Sequence, residues 1–162
     1  MKRYCSKRST CKNADLYCIF CNRTEHTWLY NRISDAEKEL PFWLNYERGG
    51  GGALLKAAKS CKKGIPLWRS QYTNDYYHAG GDGAVMRILP HVIASAKTAN
   101  TAKLMIDVIK DTLITHGHPR AILGATCYAY ALEYLLKKEN TLKYGELVTA
   151  VIEGAKVWGA IP

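Results

Sequence analysis

Two short stretches hold the residue types that could do chemistry: Gly80-Gly81-Asp82-Gly83-Ala84-Val85-Met86-Arg87 and Thr115-His116-Gly117-His118-Pro119. The first is a glycine turn that runs straight into an amphipathic segment, Val85 to Ala96. Such a turn leaves backbone N–H groups free at a helix start, and these bind phosphate or diphosphate. The candidate donors are Gly80, Gly81, Asp82 and Gly83. The second stretch puts two imidazoles at the end of another helix, just before a proline. A helix hairpin's length of chain separates the two stretches, so both are expected to face one cleft. His116 either faces that cleft or, like His118, reads as a helix C-cap, where a protonated imidazole favours the dipole's negative end.

A third constellation is Cys5, Cys11, Cys18 and Cys21, spaced C-x5-C-x6-C-x2-C, with His26 nearby. Zinc accepts four cysteines, or three and a histidine. The first pair is more widely spaced than in the usual knuckles. Two readings stay open: a structural Zn²⁺ site, or free thiols in a basic arm. Tyr72, Tyr76 and Tyr77 precede the glycine turn. They would either stack on an adenine or pack the loop. His78 and His91 read as isolated structural or surface residues, and Cys61 and Cys127 as small core residues.

The elements that must position these groups are helical. Trp28, Leu29 and Ile33 mark a stripe from Thr24 to about Leu40, and Pro41 opens an aromatic segment. Gly49 to Gly52 is a flexible break. Ala53 to Lys62 reads as a helix, with Gly64 as its cap and Pro66 beyond. Leu67 to Ala79 reads as an irregular, Tyr-rich loop. Ala84 to Ala96 is expected to be a helix kinked at Pro90. Thr101 to Ile114 follows, then a long helix from Pro119 to about Lys138, and a last one from Leu142 to Trp158. No strand alternation is found. The expected fold is all-α: one helical-bundle domain over residues 23–162, behind a basic, Cys-rich arm at residues 1–22.

Composition narrows the class. The chain has 162 residues, 48% of them apolar, which suffices for one real core. Net charge is +9, and much of it sits in the arm: Lys2, Arg3, Lys7, Arg8, Lys12 and Arg23 stand against Asp15 alone within residues 1–23. Such an arm is either solvated or contacts nucleic acid or another anionic partner. The first ten residues lack a secretory apolar region. No run approaches the roughly 20 apolar residues of a membrane span. Six cysteines in a chain of this size do not suggest a secreted disulfide scaffold, so a cytoplasmic protein with reduced thiols is expected. No Ser-His-Asp arrangement, Walker loop or strand-borne dinucleotide fingerprint is present.

The motifs follow a recognisable order. Thr24-Glu25-His26-Thr27 comes first, then a Trp-containing helix, then Arg48-Gly49-Gly50-Gly51-Gly52-Ala53. Gly83-Ala84-Val85-Met86-Arg87, Thr115-His116-Gly117-His118-Pro119 and a long Ala-rich helix complete the series. From about residue 21 to 162, the chain resembles the ADP-ribosylglycohydrolases, the family of dinitrogen-reductase-activating glycohydrolases. The resemblance implies an all-α fold, and removal of ADP-ribose from a modified side chain or related acceptor with two Mg²⁺ ions. It places diphosphate and ribose at Gly80, Gly81, Asp82 and Gly83, sets His116 near the ligand, and adds Gly50 to the ligand-binding residues.

The chain also departs from that pattern. Where the family has a Ser/Thr-Asp-Asp metal triplet, this sequence reads Cys21-Asn22-Arg23. Asparagine carries no charge, guanidinium is always protonated, and Mg²⁺ prefers oxygen ligands. The family's upstream Gly-Asp helix and downstream Asp-x-Asp motif have no counterpart in residues 1–162. Asp82 replaces the usual asparagine of the loop, and Arg87 is a candidate to pair with it. The expected function is recognition of ADP-ribose or an ADP-ribosylated substrate, with hydrolysis only if a second chain completes the metal site. The alternative is a non-catalytic interaction module whose basic, zinc-binding arm contacts nucleic acid or an acidic partner.

Overall fold

Leu104, Met105, Val108, Ile109 and Thr112 recur at the spacing of one helical face, and all are buried. They belong to a helix of the computed structural model, which describes residues 40–41, 44–45, 51–96 and 100–158. Six α-helices lie within these residues: α1 (Gly52–Cys61), α2 (Thr73–His78), α3 (Leu89–Ser95), α4 (Thr101–Leu113), α5 (Pro119–Lys137) and α6 (Glu146–Trp158). Single 3₁₀ turns occupy Leu67–Arg69 and Val85–Arg87. The fold is all-α, and the described residues contain no strand.

The ends of α4 and α5 are set by short-range chemistry. Asn100 caps α4 by accepting from the Lys103 N–H at 2.9 Å, which satisfies one of the free amides at the helix start. Pro119 opens α5, where its missing N–H costs nothing. Ala121, Ala125 and Ala129 follow at four-residue steps and are buried, so α5 can approach its neighbours closely. It packs on α4 along one side and on α6 along another. Gly154 of α6 lies directly on the Tyr130 ring. At the far end Glu146 accepts from Tyr134, Lys138 and the Lys143 N–H, which tie the start of α6 to the end of α5. The Lys138 ammonium, then the Tyr134 hydroxyl and that N–H, hold the Glu146 carboxyl down at about 2.

Two apolar clusters form the core. Ile88, Val92, Leu104, Met105, Val108, Ala125 and Ala129 make the larger one, joining α3, α4 and α5. Leu40, Ala57, Ala58, Leu67 and Tyr76 make the smaller one beneath α1 and α2. Tyr76 links the two regions. Its ring is buried in the smaller cluster, and its hydroxyl donates to the Leu113 carbonyl at the end of α4.

Several expectations are corrected. Leu67 to Ala79 is not an irregular loop: it holds a 3₁₀ turn and α2. Ser70 and Thr73 shape it by donating to the Leu67 and Ser70 carbonyls. Ala84 to Ala96 is not one kinked helix. Pro90 sits in the first turn of α3 and starts it, because proline has no N–H to donate and its ring blocks a preceding helical turn. The last helix begins at Glu146 rather than Leu142. Gly64 does adopt the expected left-handed conformation after α1, at φ 66°. The arm with Cys5, Cys11, Cys18 and Cys21, the triplet Cys21-Asn22-Arg23, Glu25, His26 and Gly50 lie outside the described residues. No helix among the described residues is long and apolar enough to cross a membrane.

Candidate functional site

The glycine turn and the histidine turn meet. α4 ends at Leu113, and Thr115 and His116 hang their amides on its last carbonyls: both N–H groups donate to the Thr112 carbonyl, at 3.1 and 2.9 Å. Gly117 then donates to the Tyr76 carbonyl at 3.0 Å. This directs His116 inward, where only 4% of it is exposed. Thr115 Oγ1 lies 2.7 Å from His116 Nδ1 and fixes the ring's orientation. The ring's other edge faces the glycine turn: a Cβ at Gly83 would stand 3.1 Å from His116 Cε1 and 3.3 Å from Nε2. His116 Nε2 has no protein hydrogen-bond partner among the described residues. A second tie runs through Arg120, whose Nε donates to the Gly80 carbonyl at 3.2 Å.

The amides of Gly81, Asp82 and Gly83 donate to no carbonyl among the described residues, and Gly81 and Asp82 are exposed. The turn does not open an α-helix, however. It leads into the 3₁₀ turn Val85–Arg87, so the expected helix-dipole contribution at a helix start is absent. The free donors that remain are the turn's own amides.

Arg87 does not pair with Asp82. Its Nε donates to Asp111 Oδ2 at 2.7 Å and its Nη2 to the Asp111 carbonyl at 2.6 Å. His91 Nε2 stands 3.8 Å from Asp111 Oδ1, so this histidine is a buried neighbour of a carboxylate and not an isolated one. Burial pushes the Asp111 carboxyl up, but the His91 ring and the Arg87 guanidinium outweigh it, and the group ends below the usual carboxylate value. His118 is not a C-cap. It is the N-cap of α5, its Nδ1 accepting from the Arg120 N–H at 3.0 Å, which requires an unprotonated nitrogen.

Burial, and after it the Arg87 guanidinium, hold His116 below the ordinary imidazole value; Asp82 opposes them. The sign of the resulting pH dependence is fixed. An unfolded His116 takes a proton near 6.5, and the folded one resists it until lower pH. The unfolded state therefore binds more protons in that window, and stability falls as pH drops below 6.5. The His116 Cε1–H resonance, followed by NMR, should titrate below the midpoint of a free histidine. A midpoint at or above that of the free residue would contradict the buried placement.

A cavity of about 250 Å³ lies beside the histidine turn, lined by Gly52, Ala53, Lys56, Leu67, Asp75, Tyr76, His78, Ala79 and Thr115. Gly50 is not described, but Gly52, which opens α1, is part of this wall. Lys56 and Asp75 of its wall form an ion pair at 3.1 Å. Of the three tyrosines, Tyr76 is a core residue and Tyr77 is half exposed, its ring edge-on to Tyr76 with centroids 5.0 Å apart. No local signal marks Asp111 as a site neighbour, because nothing in the near sequence pairs it with Arg87 across 24 residues.

The described residues bring together no donor set for Mg²⁺. Among the described residues no three His, Cys, Asp or Glu side chains converge, and the triplet position holds Cys21-Asn22-Arg23. A thiol, an amide and a guanidinium are a poor set for a hard divalent ion.

No curated protein and no solved structure matches the chain. The family model described as ADP-ribosylglycohydrolase matches residues 15–160 of the 162. With that coverage and an all-α fold, the chain belongs to the ADP-ribosylglycohydrolase family.

Proposed function

We propose that the chain recognises ADP-ribose, free or attached to a modified side chain, in the cleft between Gly80–Gly83 and His116. Family membership supports a hydrolase-type function at the level of the family. One observation carries the finer reading: the turn with the uncommitted amides of Gly81, Asp82 and Gly83 meets, at Gly83, a buried imidazole whose Nε2 has no protein partner among the described residues. Uncommitted amides in a glycine turn suit a diphosphate, and an oriented imidazole suits a ribose hydroxyl. Asp82 repels a diphosphate, and Arg87 is held by Asp111, so a cation accompanying the ligand would ease binding. Hydrolysis by the family's two-Mg²⁺ route needs carboxylates that the described residues do not bring together. In this reading a second copy or a partner chain supplies them.

The test is a calorimetric titration of ADP-ribose, first with Mg²⁺ and then with a chelator. Binding in either arm supports recognition, and loss on chelation adds a metal requirement. Absence of heat in both arms would sink the proposal.

A further inference from the structure

The ligand cradle is built from two segments that have no covalent reason to stay together. The glycine turn precedes Arg87, and His116 follows Asp111. Besides the Arg120 tie to Gly80, the Arg87 side chain spans the gap at those ends. Arg87 grips Asp111 twice, through the carboxylate at 2.7 Å and the main-chain carbonyl at 2.6 Å. The second bond is informative. A guanidinium that holds a backbone carbonyl fixes its position on the helix itself and not merely on a rotatable carboxylate. Asp111 is steadied from the other side by His91 of α3, and its side chain is 13% exposed. The bridge thus joins the 3₁₀ turn, α3 and the last turn of α4 at one point.

We propose that Arg87 and Asp111 are positioning residues that set the glycine turn against His116. This rests on reading the cleft as a ligand cradle. The bridge is placed for the task. Gly83 lies four residues before Arg87, and His116 five residues after Asp111, and these are the residues whose faces touch. A shift of the 3₁₀ turn along α4 would move Gly83 across the imidazole. The bridge also acts electrically. The charged groups facing His116 are Arg87 and Asp82, on opposite sides of its titration. Asp111 is the group that keeps the guanidinium beside the ring.

Three variants separate these effects: Arg87→Gln removes both charge and fork, Arg87→Lys keeps the charge but loses the fork, and Val108→Ala weakens α4 from its core side without touching the bridge. The first readout is ligand-free NMR of the His116 Cε1–H titration and the Gly83 amide. Arg87→Gln should raise the His116 midpoint, since the repelling cation is gone. Arg87→Lys should leave that midpoint near wild type yet shift the Gly83 amide. Each Arg87 variant should weaken ADP-ribose binding on the order of tenfold, and Val108→Ala should change neither resonance. Unchanged His116 and Gly83 signals in Arg87→Gln would overturn the proposal, as would the same changes in Val108→Ala. Because the resonances need no ligand, a wild type that fails to bind ADP-ribose defeats the functional reading and leaves the bridge to be judged by NMR.

Discussion

Gly117→Ala should destabilise the protein more than alanine at any other glycine around the cleft. A Cβ there would lie 2.3 Å from Tyr76 Cε1 and 2.7 Å from Cδ1 and Cζ, far inside contact distance. The ring cannot step aside. It is 4% exposed, packed beside Trp68, and its hydroxyl is held by the Leu113 carbonyl at 2.9 Å. Nor can Gly117 retreat freely, because its N–H is bonded to the Tyr76 carbonyl. Overpacking of this kind costs about 1–3 kcal/mol, and the pinned ring puts this case at the upper end. In a domain of this size about 3 kcal/mol lowers the melting temperature by roughly 10 °C.

The neighbouring glycines give the internal scale. At Gly83 a Cβ stands 3.1 Å from His116 Cε1, so the imidazole must give by a few tenths of an ångström. At Gly80 the nearest atom, 2.8 Å away, is Arg120 Nη2, the end of an exposed and flexible side chain. At Gly81 nothing lies within 4 Å, and alanine there should be neutral or slightly stabilising through the unfolded chain. The expected order of melting-temperature loss is Gly117, then Gly83, then Gly80, with Gly81 last. Differential scanning calorimetry of the four variants checks it. In a Tyr76→Leu background, Gly117→Ala should lose most of its effect, because the clashing ring is gone; an undiminished loss would place the strain elsewhere.

The second large effect concerns ligand capture. His116→Ala should weaken ADP-ribose binding on the order of a hundredfold, the loss expected when a buried polar contact to the ligand is deleted and its partner left unsatisfied. The mutation also removes a ring 4% exposed, so some stability is lost as well. His116→Gln separates the two. It preserves much of the volume but cannot hold one nitrogen at Thr115 and present the other beside Gly83. It should keep the melting temperature close to wild type and still bind poorly. Full affinity in His116→Gln would remove the imidazole from the proposed contact set.

Much of the helical framework was legible without coordinates. α1, α4, α5 and α6 announce themselves by apolar residues at helical spacing, and Pro119, Asn100 and Gly64 mark boundaries by their own backbone chemistry. α2 was not legible. Its six residues Thr73–His78 bury Tyr76 alone, and one buried side chain has no period. The stripe Val85, Ile88, Leu89, Val92 and Ile93 suggested one helix, yet Leu89 and Ile93 are exposed and only Ile88 and Val92 enter the core. A proline in that stripe marks a beginning as readily as a kink, and the packing of Ile88 decided which.

The sequence by itself determined the helical class, the family through the order of its motifs, and the two chemistry-bearing stretches that the fold brings into contact. Those follow from residue type and near-neighbour spacing, which the chain carries in any conformation. Only the tertiary structure decided that Arg87 belongs to Asp111 and not to Asp82, that His118 caps α5, and that Tyr76 is the pillar under Gly117. A charge takes the partner that burial and helix packing bring within reach. That distance is set by the core between α3, α4 and α5, to which many residues contribute.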